Sequence, residues 1–306
     1  MRFGLAIPQI FPDGAIDLEA IGACVREADD AGLDSLWVVE SGVRSGRAAW
    51  SLEPLTLLSY VASMTTLARL GTSVLCSAFR NPVQLATDLA SLDQLCAGRL
   101  IVGVGSGHPK RGHLFGLSPD HWTERFEEGL TVARKLWAPG TATFQGRFWD
   151  FEDLAMEPKP VQRPHPPLWF GARAPRGLRR AARMGSGWMG AGSSSYDEFV
   201  EQSRLLSEFL DEVERVDTEF EISKRVYLAI DDGADQESRV MSFFDHVYGN
   251  VELGRRCAVW GPPEHCAERI AALFEGGAQM VVINPMSDHR KQLELFRGSV
   301  LPLLKR

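Results

Sequence analysis

Few residues of this chain combine acid–base capacity with a position where a reaction could use it. Glu40 ends the apolar run Ser35-Leu-Trp-Val-Val-Glu40 and is followed by Ser41, while His108 follows the glycine-rich run Leu100-Ile-Val-Gly-Val-Gly-Ser-Gly107. A carboxyl group can donate a proton or contact a ring, and an imidazole with an ordinary pKa near ~6.5 suits proton transfer at neutral pH. Each also has a structural use, the acid as an organiser of buried hydrogen bonds and the histidine as a plain surface residue. The glycines invite a dinucleotide-binding interpretation, but the third glycine of that fingerprint is missing and Pro109 interrupts the helix it needs. No Gly-Lys-Ser/Thr occurs, so a P-loop is excluded. Two roles therefore stay open for Gly105 and Gly107: a simple turn at a strand end, or a place where backbone approaches a flat ring system. His113, His121, His165, His246, His265 and His289 show no ligand spacing, and the cysteines match neither a zinc motif nor a disulfide scaffold, so no metal is expected.

The elements that must carry these residues alternate. Apolar runs at 3–7, 35–39, 71–75, 100–104, 168–171, 187–190, 225–230 and 280–284 are separated by amphipathic stretches. That order demands parallel strands with helical crossovers. The first helix starts near Asp17 with Leu18, Ile21, Val25 and Ala28 at helical spacing; later helices open at Pro54, at Asn81-Pro82, at Ser118-Pro119 and near Pro175, and another runs over 196–216. Residues 141–154 read as an added β-hairpin, 158–167 as an extended proline-rich connector, and 231–262 as a helical insertion. Eight strands suit a closed (β/α)8 TIM barrel with insertions better than an open sheet, and a length of 306 residues with 44% apolar composition suits one domain over 1–306. In such a barrel the site lies at the C-terminal strand ends. The net charge of −7 argues against a nucleic-acid partner. A chain start without signal-peptide character and the lack of a long apolar run set the expectation of a cytoplasmic protein with no membrane partner.

The sequence resembles the bacterial-luciferase-like superfamily of flavin- and coenzyme F420-dependent oxidoreductases. The resemblance rests on Ala31-Gly-Leu-Asp-Ser-Leu-Trp-Val-Val-Glu40, Arg69-Leu-Gly-Thr-Ser-Val-Leu75, Asn81-Pro-Val-Gln-Leu-Ala86 and the segment from Leu92 to Gly107, with further matches over 158–171, 180–190 and 277–284. It implies a luciferase-like barrel in which Ser73-Val74 is a non-prolyl cis peptide on a strand-three bulge against the cofactor ring. It places Gly105-Ser106-Gly107 near that ring, and Gly171-Ala172-Arg173 and Gly190-Ala191-Gly192 around the cofactor phosphate. General physics agrees on the cradle: small residues expose backbone N–H groups, and a helix opening at Pro175, with Arg176 in its first turn, points a positive end at an anion.

Departures from the resemblance are informative. Deazaflavin-using members commonly carry an acid followed by histidine after strand two, where this chain has Glu40-Ser41, and a second acid after strand four, where His108 and Pro109 stand. Glu40 and His108 are therefore the candidate catalytic residues. A local excess of cations at the predicted rim (Arg44, Arg47, Arg80, Lys110, Arg111, Arg173, Arg176) favours the long anionic coenzyme F420 over FMN. The expected activity is hydride transfer between F420 and a small-molecule substrate. The alternatives are an FMN-dependent monooxygenase and a non-catalytic flavin- or metabolite-binding barrel. A homodimer through the outer faces of the second and third helices is expected from the resemblance.

Overall fold

A computed structural model of the chain describes residues 1–11, 14–40, 50–213, 219–231, 233 and 235–305. Its centre is a ring of parallel strands: β1 (Arg2–Ala6), β2 (Ser35–Val38), β3 (Arg69–Thr72), β4 (Leu100–Gly105), β5 (Leu168–Phe170), β6 (Gly187–Gly190), β7 (Glu221–Ile230) and β8 (Met280–Pro285). Each pairs with the next, and β8 pairs back onto β1 with Leu5 opposite Ile283, so the sheet closes and its strands keep no free edge.

The crossovers follow their sequence signals. α1 (Leu18–Asp30) is capped by Asp17, whose carboxylate accepts the Ala20 N–H at 2.8 Å; Ile21, Val25 and Ala28 are buried, whereas Leu18 in the first turn is exposed. α2 (Pro54–Ala62) and α3 (Pro82–Leu95) open on proline, with Asn81 capping the latter. α4 (Trp122–Trp137) starts later than expected, because Ser118 spends its hydroxyl on Asp120 and the helix begins after the left-handed His121. α5 (Pro175–Met184) and α6 (Tyr196–Glu212) follow, α6 entered through a capping box between Ser195 and Glu198.

The insertion contains α7 (Gln236–Tyr248) and α8 (Val251–Cys257), and also a strand, Ala258–Gly261, that pairs with the end of β7. That strand was missed, since its short mixed sequence carries little period-two signal. Strand β7 begins at Glu221 rather than 225, because Ile222 and Ser223 already pair with β6. α9 (Pro263–Glu275) and α10 (His289–Leu295) complete the ring, and the hairpin forms as expected from Ala142–Gln145 and Asp150–Leu154.

Two tryptophans fill the barrel interior. Trp37 and Trp169 lie with ring centroids 5.3 Å apart, packed with Ile101, Met189, Met280 and Val282. Strand glycines make the room: a Cβ on Gly71 would stand 2.4 Å from Trp37, and one on Gly187 would stand 2.6 Å from Trp169. A methyl at Gly71 would displace a ring with no free volume to enter. The indole N–H of Trp37 is satisfied by Ser35 Oγ at 2.8 Å, which lets a polar edge sit at the centre of the barrel.

Candidate active site

Two cavities, each of about 330 Å³, open at the C-terminal strand ends. The first gathers most of the expected cofactor residues: Ser73, Val74, Gly171, Ala172, Arg173, Gly190, Ala191 and Gly192 all line it, with Arg225, Tyr227 and Tyr248. The Ser73–Val74 peptide is cis, as the resemblance implied. Val74 explains several glycines around it. A Cβ on Gly105 would come within 2.9 Å of Val74 Cγ2, and one on Gly171 within 3.0 Å of both Val74 methyls.

Gly105, Ser106 and Gly107 do not line this cavity; they shape the chain behind it. Ser106 offers its carbonyl to Trp122 Nε1 at 2.8 Å, and Gly107, at φ +66°, lies where a Cβ would come within 2.7 Å of Phe79. Gly190 does line the cavity, yet its other side meets Phe199 of α6 at 2.9 Å and the Ser223 carbonyl at 3.0 Å from where a Cβ would be. A larger residue there would disturb the α6 packing as well as the cavity.

The charge of the first cavity is carried by two arginines. Arg173 is exposed and donates to Ser193 Oγ at 3.2 Å, just before α5, whose N-cap Ala174 supplies no side-chain acceptor. Arg225 was not anticipated. It lines both cavities, its Nη1 donates to the Ser73 carbonyl at 3.4 Å, its guanidinium lies 5.4 Å from the Tyr227 ring, and its buried Nε has no hydrogen-bond partner among the described residues. Neither arginine has a carboxylate partner among the described residues. An unpaired cation at a partly buried position is costly unless a ligand supplies electron density.

The second cavity has Trp37 among its lining residues and is bounded by Gln9, Tyr227, Phe243, Asn284 and His289. Gln9 stitches β1 to the following segments, donating to the Val39 and Leu52 carbonyls at 2.9 and 2.8 Å and accepting the Val39 N–H at 2.8 Å. Burial pulls His289 down to about 4, so its imidazole is uncharged at neutral pH. The insertion helix α7 contributes Phe243 and Val247 here and Tyr248 to the first cavity, where the Tyr248 and Tyr227 hydroxyls are hydrogen-bonded.

Glu40 and His108 stand elsewhere. Glu40 accepts the Cys76 N–H at 3.0 Å and pairs with Arg80 at 3.2 Å, while Arg80 also reaches Glu53 at 3.0 Å. In each of these contacts Glu40 is the acceptor. His108 is exposed, outside the lining of both cavities, and its Nδ1 accepts the Lys110 N–H at 3.2 Å as the cap of a 3-10 turn.

Residues 1–251 match the family model described as luciferase-like monooxygenase. The chain belongs to this family. It is 26% identical to the F420-dependent glucose-6-phosphate dehydrogenase of Kineococcus radiotolerans, over 91% of each chain. Among solved structures it is similar to an F420-dependent secondary alcohol dehydrogenase in complex with an F420-acetone adduct, at TM-score 0.85 and 17% identity over 100% of this chain and 99% of that one. It is also similar to the oxygenating constituent of 3,6-diketocamphane monooxygenase from Pseudomonas putida in complex with FMN, at TM-score 0.75 and 18% identity over 99% and 98% of the two chains.

Within this luciferase-like barrel, the described cations of the expected rim have different surroundings. Arg44, Arg47 and Ser41 lie outside the described residues. Arg80 is engaged by acids, Arg111 lies over the Phe79 ring at 5.5 Å, and Lys110 is exposed. Arg176 faces a separate groove with Arg179, Arg180 and Arg183 rather than the first cavity. The signal for Arg225 was present: with Tyr227 and Ala229 it alternates along β7, and a cation at period two on a barrel strand is a lumen candidate.

Proposed function

We infer that this luciferase-like protein is an oxidoreductase that transfers hydride between coenzyme F420 and a small organic substrate. The observation that carries this is the first cavity: two arginines without carboxylate partners among the described residues, beside the small-residue segment 190–193 that lines it. A phosphate-bearing flavin fits that donor set. Arg173, the 190–193 turn and the opening of α5 would hold the phosphate, and Val74 would press on the ring. When bound, the deazaflavin supplies two-electron hydride chemistry.

The second cavity is the organic substrate's chamber in this proposal. Arg225 and Tyr227 form the wall common to both cavities, so a substrate oxygen there would meet a guanidinium that can stabilise developing negative charge. Asn284 and the uncharged His289 offer further hydrogen bonds, while Trp37 and Phe243 exclude water. The proton that accompanies hydride transfer is assigned to this chamber, because Glu40 is held in an acceptor role and His108 faces solvent. The expected partner is a small molecule, with no nucleic acid. Among the described residues no helix is long and apolar enough to cross a membrane. A homodimer is proposed on the exposed Tyr60, Leu67 and Leu95 around α2 and α3, with light scattering as its test.

The FMN-dependent monooxygenase is the second reading, favoured by Ser41 and His108 at the places where deazaflavin members carry a histidine and an acid. Separate titrations with F420, FMN and FAD, followed by cofactor fluorescence, decide between them. Tighter binding of F420 is expected; stoichiometric FMN with no F420 binding overturns the proposal.

A further inference from the structure

A buried lysine lies beneath the cofactor cavity and is used by nothing described so far. Lys224 sits on β7 directly opposite Gly190 of β6 and is 2% exposed. Its ammonium reaches under the turn that follows β6, donating to the Ala191 carbonyl and to the Ser194 carbonyl at 2.9 Å. The Ser194 N–H closes the same turn onto the Ala191 carbonyl at 3.0 Å. One cation thus holds both ends of the segment whose Ala191, Gly192 and Ser193 line the cavity.

Peptide geometry gives this clamp a consequence. In a trans peptide the carbonyl of one residue and the N–H of the next point in opposite directions. With the Ala191 carbonyl turned inward to Lys224, the Gly192 N–H is turned away from the core, on the side where Gly192 borders the cavity. The Ser195 N–H is similarly opposed to the Ser194 carbonyl but is engaged by Glu198 at 2.7 Å, so of these two donors it is the Gly192 N–H that the clamp presents to a ligand. Gly192 can carry no side chain here, since a Cβ would come within 2.9 Å of Tyr227.

We propose that Lys224 is a positioning residue for the anion cradle: it sets the 191–194 turn so that a backbone donor faces the flavin phosphate, and it places a positive charge directly beneath it. This rests on the flavin-dependent reading above.

The charge makes the cradle sensitive to pH. Burial pulls Lys224 down to about 7. Glu198 on α6 faces it and favours its charged form, as Cys257 on α8 does once it is a thiolate, while Arg173 and Arg225 oppose it, and the Phe199 ring lies 5.9 Å from its Nζ. A bound anion adds to the favourable side, so binding above neutral pH takes up a proton and weakens as pH rises.

The test compares the full-length protein with Lys224→Met and Lys224→Arg. Fluorescence titration with F420 and FMN is run from pH 7 to 9, a window in which a phosphomonoester is largely ionised. Wild-type affinity should fall roughly three- to tenfold across it. Lys224→Met should bind about tenfold or more weakly at pH 7 with little pH dependence left, and Lys224→Arg should recover part of the affinity without the pH dependence. Hydrogen exchange at 191–194, measured without cofactor, should quicken in Lys224→Met while the barrel strands keep their protection. Unchanged exchange in the turn, or a pH dependence that persists in both variants, overturns the role of Lys224. A wild-type protein that binds no flavin at all overturns the functional reading instead, and the exchange measurement still decides whether Lys224 sets the turn.

Discussion

The two ends of the barrel treat their cations differently. At the N-terminal end, Arg69 bonds Asp34 at 2.7 Å and Glu221 at 3.2 Å, and Arg2 joins Glu221 at 3.0 Å, so opposite charges are interleaved. At the C-terminal mouth Arg80 is paired with Glu40 and Glu53, but beside the first cavity Arg173 and Arg225 have no carboxylate partner among the described residues, and Lys224 donates to the Ala191 and Ser194 carbonyls. The lower network ties neighbouring strands together. Under the proposed function the cations beside the first cavity serve a ligand, and the fold bears the cost of holding the half-buried Arg225 without a carboxylate. Charge pairing thus sets the cations beside the first cavity apart from those of the N-terminal end.

The sharpest way to break this comparison is to remove one cation from each end. Arg225→Met should weaken flavin or substrate binding about 10- to 100-fold, the scale of one charge-assisted contact, while leaving thermal stability unchanged or higher. Arg69→Met should do the reverse, lowering stability by roughly 1–3 kcal/mol with cofactor affinity intact. Calorimetry and fluorescence titration on both variants check the pair, and equal effects on both properties would erase the distinction between the ends.

A separate effect is expected in the pH dependence of stability. Lys224 falls from 10.5 to about 7 on folding, so the unfolded chain binds more protons between those values and stability should rise with pH across that window. His289, lowered from 6.5 to about 4, acts with the same sign at acid pH: stability should fall as pH drops from 6.5 toward 4. Denaturant melts of wild type, Lys224→Met and His289→Gln across these ranges isolate each contribution. His289→Gln should also slow turnover without changing cofactor affinity. The smallest effects are expected from the candidates named first: Glu40→Gln should loosen the Arg80 pairing by about 1 kcal/mol or less, and His108→Ala should leave turnover within a few-fold.

The sequence by itself determined the barrel and brought together the small-residue segments that line its first cavity. The alternation of short apolar runs with capped, proline-opened helices is a local pattern, and parallel strands joined by helices leave few ways to bury both faces. The small-residue segments 171–173 and 190–192 were legible for the same reason: each directly follows a strand, and the site end of a barrel is set by chain direction. Which side chains complete the site was decided only by closure of the ring. Arg225 and Lys224 are neighbours on one strand, yet alternation sends the first into the mouth between two cavities and the second outward beneath the 191–194 turn. His289 is 249 residues from Glu40 along the chain and reached the chamber only because β8 pairs with β1, whereas Glu40 and His108, prominent in sequence, were taken up by Arg80 and by a turn cap. Burial, pairing and the direction of a side chain depend on neighbours brought together by closure, and no local window of sequence contains them.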